Sequence, residues 1–130
     1  MRLILLALAA ILASAPPSIA ADAYPNMVGK WSGTAERVLS DPDGAISFRT
    51  DPITMEFTEQ QGRRFVGRLL VADLNIQIIG VFLDERSFRW AESSGFADGH
   101  FTDPDTFEAC YIRNAQFSKI AACEVLTRQE

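Results

Sequence analysis

Apolar and polar residues alternate with a period of two along most of the chain after residue 28. The pattern is clearest at the start of the segment Ile53–Leu70, where apolar residues occupy every second position from Ile53 to Phe57. This period is typical of a strand with one buried face. A turn signal, Gln60-Gln61-Gly62, follows. The segment therefore predicts a β-hairpin with a three-residue loop in which Phe57 faces Phe65.

The predicted hairpin also places Met55 opposite Gly67, so that its apolar residues share one face. Glu56 then lies on the other face, diagonal to Arg64 and Arg68, as a favourable arrangement of charges. A two-residue turn at Gln61-Gly62 would instead pair Met55 with Arg68, and we reject it for that reason.

Further strand patterns follow one another along the chain, separated by turn signals about every 8–12 residues. The long stretch Leu39–Pro52 is predicted to be irregular, with Ile46–Arg49 as a short strand or an extension of the next one. Besides the hairpin, the predicted strands are Gly29–Val38, Leu74–Phe82, Ser87–Glu92, Gly95–Thr102, Thr106–Arg113 and Lys119–Arg128.

Eight short strands joined by short links favour an antiparallel meander. Such a sheet removes its edges by closing on itself, so the predicted fold is all-β, an eight-stranded antiparallel up-and-down barrel. Alternate links of a meander share an end. Leu39–Pro52 should therefore lie with Val71–Leu74, Glu92–Gly95 and Asn114–Ser118, and we expect this end to be open.

The N-terminus has the pattern of a secretory signal peptide. Arg2 is followed by the apolar run Leu3–Ala13 and then by small residues suited to signal peptidase. The run is too short to span a bilayer. We expect a signal peptide over residues 1–21, with cleavage between 20 and 23. Residues 22–130 would form a single domain, secreted or periplasmic, with no membrane insertion of the mature chain.

The charge of the chain excludes one class of partner. Cleavage would remove Arg2, one of 12 basic residues, leaving 11 against 17 acidic residues and a formal net charge of −6. Such a domain lacks the basic patch that neutralises phosphates, so we expect no nucleic-acid partner.

Cys110 and Cys123 are the only cysteines in the chain. They flank a predicted turn centred near Gln116, and an antiparallel hairpin would bring them opposite each other. Disulfides persist in exported proteins, so we predict a cross-strand disulfide. Two thiols without neighbouring histidines do not make a zinc site.

The start of the first strand, Gly29-Lys30-Trp31, resembles the G-x-W signature of the lipocalin, fatty-acid-binding and avidin barrels. The resemblance implies that Trp31 lies across the closed end and that a basic residue of the last strand packs over it. Arg128 matches that position, and Arg113 is the alternative. Two later stretches, Glu59–Gly67 and Asp103–Glu108, are similar to small exported prokaryotic lipocalin-like barrels, most of them uncharacterised.

The resemblance has limits that bear on function. The chain is shorter than a typical lipocalin and lacks that family's C-terminal helix. It also lacks the biotin-contacting polar residues of avidin, so biotin binding does not carry over. A barrel of this kind would hold a ligand against its interior residues, and the candidates are Trp31, Met55, Phe57, Phe65, Trp90, Phe96 and Tyr111. These side chains would equally serve to fill the core.

Polar residues offer weaker candidates for chemistry. His100, the only histidine, shares a face with Phe96 and Asp98; we favour a surface position over a haem or metal ligand. An acidic composition makes outward carboxylates the expectation for Glu92, Asp98, Glu108 and Glu124. The aspartates at 41, 43 and 51 fit turns better than a calcium loop. The faces of Arg37 and Glu108 stay open, because a bulge would invert them.

The sequence thus predicts an exported small-barrel binding protein that holds a small apolar ligand in the barrel or at its mouth. The alternative is a protein-binding module, such as an inhibitor of an exported protease. We expect neither an enzyme nor a cofactor, and the sequence leaves the oligomeric state undetermined.

Overall fold

A computed structural model describes residues 23–71, 73–116 and 118–130 of the chain. It shows eight antiparallel strands in sequence order, and the first pairs with the last to close the barrel. The all-β meander barrel predicted from the sequence is confirmed. The strands are β1 (Gly29–Ser40), β2 (Ile46–Gln61), β3 (Arg64–Val71), β4 (Leu74–Phe82), β5 (Ser87–Glu92), β6 (Gly95–Asp103), β7 (Thr106–Ala115) and β8 (Ser118–Arg128).

The predicted signal peptide lies outside the described residues. Within those residues, no helix has the length and apolar character needed to cross a bilayer. The disulfide is confirmed: Cys110 and Cys123 are direct cross-strand partners on β7 and β8, with their Cα atoms 4.0 Å apart. Both residues are exposed on the outside of the barrel.

The β2–β3 hairpin differs from its predicted register by two residues. Phe57 lies opposite Gly67 rather than Phe65, and the turn falls at Gly62-Arg63. A bulge at Thr58 adds one residue to β2, so the inward and outward faces stay as predicted while the partners shift. Glu56 becomes the direct partner of Arg68, and the two form an ion pair.

The observed register places a large residue over a small one. Each of three inward phenylalanines lies over a glycine on the next strand: Phe57 over Gly67, Phe65 over Gly80 and Phe88 over Gly99. A Cβ at any of these glycines would lie 2.2–2.5 Å from ring atoms of its phenylalanine. Two other inward pairs, Phe82–Phe88 and Phe101–Phe107, are direct aromatic partners near the closed end, so the match of large to small residues is local to these three sites.

The segment predicted as irregular is mostly strand. β1 continues to Ser40 and β2 begins at Ile46, which leaves a tight connection over residues 41–45. β3 pairs with β2 only from Thr54 onward, so the start of β2 pairs with β1 alone. Pro52 lies in this edge segment, where its missing N–H costs no ladder bond. The start of β2 is therefore a free edge of the sheet at the open end, whereas β1 stays paired with β8 up to Ser40.

Candidate ligand cavity at the open end

The closed half of the barrel is filled by aromatic side chains. Trp31, Phe57 and Phe107 pack together with ring centroids 4.9–6.4 Å apart, and each is at most 1% exposed. Phe65, Phe82, Phe88 and Phe101 continue this cluster through edge and stacked contacts. This half has the packing of a protein interior, and it seals the barrel.

The N-terminal segment caps the closed end. Met27 is fully buried, and its carbonyl oxygen accepts a 2.9 Å hydrogen bond from Trp31 Nε1. Arg128 holds the cap in place. Its guanidinium lies 4.2 Å from the Trp31 ring centroid and donates 2.6 Å hydrogen bonds to the carbonyl oxygens of Val28 and Asn26. Asp105 Oδ1 accepts a 2.9 Å bond from Arg128 Nε.

The open half is not filled. A cavity of about 230 Å³ lies at the end that the sequence predicted to be open, and Leu74 and Ser93 line it there. Aliphatic side chains of β2, β3, β4 and β8 form most of its wall: Ile53, Met55, Leu69, Val71, Ile76 and Ile120. The wall therefore favours an apolar occupant.

Two glutamates project into this apolar cavity. Glu92 on β5 is 9% exposed and Glu124 on β8 is 5% exposed, and both line the cavity. The expectation that these two carboxylates face outward is wrong. It is right for Asp98 and Glu108, which are exposed. Asp98 forms an ion pair with Arg89, with Nε and Oδ1 2.6 Å apart.

Burial changes the protonation of the inward pair. Burial raises the pKa of Glu124 to about 8; the nearby charge of Glu92 adds to the rise and Arg37 opposes it. Burial also raises the pKa of Glu92. The pKa of Tyr111 is raised by burial and by the charge of Glu92. At pH 7 Glu124 is therefore mostly protonated.

Four buried polar atoms at the cavity lack hydrogen bonds in the part of the chain that the structure describes. They are Trp90 Nε1, Glu92 Oε2, Arg37 Nε and Arg113 Nε. The Trp90 N–H faces Glu92 closely enough to oppose the rise in the pKa of that carboxyl, but its geometry falls short of a hydrogen bond. Buried polar groups usually have partners, so these atoms, three N–H donors and one carboxyl oxygen, are available to a bound molecule.

Two arginines line the same cavity and have other contacts. Arg37 Nε lies 3.0 Å from Asp51 Oδ2. Arg113 donates a 3.0 Å hydrogen bond to Ser118 Oγ. The two residues whose faces the sequence left undecided are thus placed. Arg37 is half-buried and faces inward, and Glu108 faces outward. No arginine nitrogen of the described chain lies within 4 Å of a Glu92 or Glu124 oxygen.

The predicted interior residues separate into three groups. Met55 and Tyr111 line the cavity. Trp31, Phe57, Phe65 and Trp90 are buried in the barrel and pack in the aromatic core. The interior position of Phe96 is wrong: its side chain is 47% exposed on the outer face, where it lies 5.7 Å from the Arg89 guanidinium.

His100 also lies on the outer face. Its Nε2 is 4.0 Å from Glu108 Oε2, and both side chains are about half exposed. Among residues 23–71, 73–116 and 118–130, no three histidine, cysteine or acidic side chains are grouped as a metal site would require. The cavity and His100 are therefore on opposite sides of the barrel wall.

The sequence contained a signal for the inward glutamates. Glu92 is in phase with the buried Phe88 and Trp90 on β5, and Glu124 is in phase with Leu126 on β8. The period of two, followed strictly, places both carboxyls inside. The argument from overall acidity pointed the other way, because composition carries no information on which face a residue occupies.

Comparisons with known proteins give only distant structural similarities. No protein-family model and no curated protein matches the chain. Among solved structures, a redesigned β-barrel is similar, with 16% sequence identity, a TM-score of 0.45, and coverage of 80% of this chain and 92% of that one. An S-type phycobiliprotein lyase from Guillardia theta has 11% identity and a TM-score of 0.39, covering 80% and 89%.

Proposed function

We propose that this protein binds a small, largely apolar molecule in the cavity at the open end of its barrel. One observation carries the proposal: the closed half is packed with aromatic rings, while the open half keeps about 230 Å³ of space beside buried, unpartnered polar atoms. Ligand sites are typically concave, mostly apolar and furnished with a few polar groups that fix orientation. The protein would act as a binder and not as an enzyme.

The volume limits the size of the ligand. Pockets for drug-sized molecules measure about 300–1,000 Å³, whereas a cavity of about 150 Å³ can hold benzene. A cavity between these sizes suits one ring or a short branched chain with a single polar group. Large lipids would have to extend out of the mouth.

The disulfide fits an oxidising compartment, since such bonds are rare where thiols are kept reduced. We therefore propose that the binder works after export, in the periplasm or outside the cell. Its membership of the lipocalin-like barrels is part of the same proposal, based on the G-x-W start of β1.

Native mass spectrometry on protein purified without refolding tests the proposal. We expect a non-covalent adduct of low mass that dissociates on denaturation. Ala122→Phe should abolish the adduct, because Ala122 lines the cavity. The matched control is Ala121→Phe, the same change on the adjacent, outward-facing residue. A bare protein that also binds nothing from a fragment library, or equal binding by both variants, would contradict the proposal.

One observation favours the second candidate, a protein-binding module such as a protease inhibitor. Phe48 and Ile46 lie on the free edge formed by the start of β2 at the mouth, and they are 83% and 60% exposed. Exposed aromatic residues of this kind are common at interfaces. Inhibition of a panel of exported proteases would test it. Phe48→Ser should weaken such inhibition at least tenfold, and Ala122→Phe should leave it unchanged.

A further inference from the structure

The two inward glutamates are the feature of the cavity that an apolar ligand alone does not explain. They come from β5 and β8 and project into one aliphatic space. Burying a carboxyl group without a partner is costly. Residues at the mouth of a barrel could hold their carboxyls out in water, but Glu92 and Glu124 are more than nine-tenths buried.

The cations of the chain leave these carboxyls without a close partner. Arg37 is engaged by Asp51, and Arg113 donates to Ser118. Neither guanidinium forms an ion pair with Glu92 or Glu124 within the described residues. Glu92 Oε2 accepts no hydrogen bond there. The cavity thus presents two carboxyl groups without an ion-pair partner, although the Nε atoms of Arg37 and Arg113 also lack hydrogen bonds there. A partner that pairs with both carboxyls has to come from outside the described chain.

We propose that the ligand is a small amine bound in its protonated form, with its ammonium group between Glu92 and Glu124 and its apolar body against the aliphatic wall. This inference rests on the proposed function, since it names the ligand class of the same cavity. An ammonium has up to three N–H donors and a positive charge, so it supplies what both carboxyls lack. A neutral ligand would supply at most the hydrogen bonds.

Two arginines of the cavity lining, Arg37 and Arg113, are the groups that would favour an anion instead. Asp51 offsets the charge of Arg37, whereas Arg113 has only the neutral Ser118 as a partner within the described residues, and the Nε atoms of both arginines lack hydrogen bonds. A bound anion would also have to lie beside Glu92, and like charges repel strongly in a desolvated site. The carboxyls therefore favour a cation, and a matched anion serves as a test of this point.

Binding of an ammonium should release a proton. At pH 7 Glu124 carries a proton in the free protein, since its pKa is about 8. The ligand's charge favours ionised Glu124, so this proton passes to the solvent as the amine enters. The charged and titratable groups facing Glu124 are Glu92, Tyr111, Arg37 and Arg113, and Glu92 adds to the release because its pKa is also raised.

Three probes that share one phenyl group test the ligand class: 2-phenylethylamine, 2-phenylethanol and phenylacetate. Isothermal titration calorimetry at pH 7.5 should show that the amine binds at least about tenfold more tightly than the alcohol, and the carboxylate more weakly still. Glu92→Gln and Glu124→Gln should each reduce amine affinity about tenfold and leave alcohol affinity within about twofold. Glu108→Gln, an outward control, should change nothing.

The pH dependence provides an independent readout. Amine affinity should rise as the pH increases from 6 to 8, by up to about tenfold per unit if one proton is released, and it should level off above 8. Titrations in two buffers of different ionisation enthalpy should count the proton directly. Glu124→Gln should lose most of this dependence, while alcohol binding should be independent of pH throughout.

The outcomes separate this inference from the proposed function. Equal binding of alcohol and amine, or tighter binding of phenylacetate, would overturn the amine inference and leave the binding function standing. If none of the probes binds, the chemical nature of the adduct seen by native mass spectrometry decides between the two proposals. An adduct with a basic nitrogen supports the inference, one without it overturns the inference alone, and a bare protein that binds nothing overturns both.

Discussion

The two ends of this barrel are built from the same alternating strands and yet differ in what they bury. The closed end buries aromatic rings, and the indole N–H of Trp31 there donates a hydrogen bond to the carbonyl oxygen of Met27. Its cation, Arg128, stays at the surface and packs against the outside of the seal. The open end buries two carboxyl groups among aliphatic side chains and leaves space between them.

The difference shows where stability and function are separated in the molecule. Tight aromatic packing at one end supplies the hydrophobic stabilisation that allows the other end to keep a cavity and desolvated acids. Buried unpartnered polar atoms cost stability, so they persist where another role compensates for them. The protein's free energy of unfolding should therefore be most sensitive to substitutions at the closed end. The pH dependence of that free energy should depend on the carboxyl groups at the open end.

The largest expected effect is the pH dependence that Glu124 gives to stability. Its pKa is about 8 in the folded protein against 4.5 for an ordinary glutamate, so the native state holds a proton that the unfolded state has lost. The free energy of unfolding should fall by on the order of 4–5 kcal/mol as the pH rises from 4.5 to 8, and then level off. Urea unfolding across this range measures it.

Glu124→Gln should remove most of that decline, and a smaller decline with the same sign should remain from Glu92, whose pKa is also raised. The outward control Glu108→Gln should keep the full decline. A wild-type protein whose stability rises steadily from pH 4.5 to 8 would show that the two carboxyls are not desolvated, and the contrast between the two ends would disappear.

The next largest effect belongs to the closed end. Trp31→Ala should lower the free energy of unfolding by about 4 kcal/mol, because it removes a fully buried indole from the aromatic cluster. Phe96→Ala, an aromatic residue on the outside, should cost less than about 1 kcal/mol. Denaturant midpoints at one pH give both values. Similar losses for the two variants would mean that the closed end is not the main packed core.

The disulfide should contribute an intermediate amount to the free energy of unfolding, and this contribution should not depend on the packing inside either end of the barrel. Replacing both Cys110 and Cys123 with alanine should cost about 3 kcal/mol, since the bridge closes a short loop in the unfolded chain. Both cysteines lie on the outer face, so probe binding at pH 7.5 should be unchanged. A variant that stays folded but no longer binds would indicate that the bridge shapes the cavity.

The smallest effect is expected for Arg128→Lys. Lysine keeps the charge over Trp31 but cannot donate in a fork to Val28, Asn26 and Asp105 together. We expect a loss of about 1 kcal/mol and increased hydrogen exchange at residues 26–28. Arg113→Lys at the open end is the matched control and should leave exchange in this cap unaffected.

Strand order and most strand faces could be predicted from the sequence because the period of two is a local signal. The register of the β2–β3 hairpin could not. It depends on the fit of Phe57 over Gly67 and on the bulge at Thr58, and both are properties of paired strands. Matching large to small residues would have favoured this register, but it is not a general rule of this barrel, since Phe82 pairs directly with Phe88.

The strand period accounts for the misplaced Phe96. On β6 the inward positions hold Ala97, Gly99 and Phe101. Phe96 is in the other phase, with Asp98 and His100, so the period of two places it on the outer face. The glutamates of the cavity were missed for another reason: their positions followed the strand period, but average acidity was given more weight.

Trp31 and Trp90 are the only tryptophans in the chain, and they occupy different environments. Trp31 lies under the Arg128 guanidinium at the seal, whereas Trp90 stacks on Phe88 with its N–H toward Glu92. Their intrinsic fluorescence should therefore report separate events. In Trp90→Phe the emission of Trp31 follows closure of the barrel, and in Trp31→Phe the emission of Trp90 follows the charge and occupancy of the mouth.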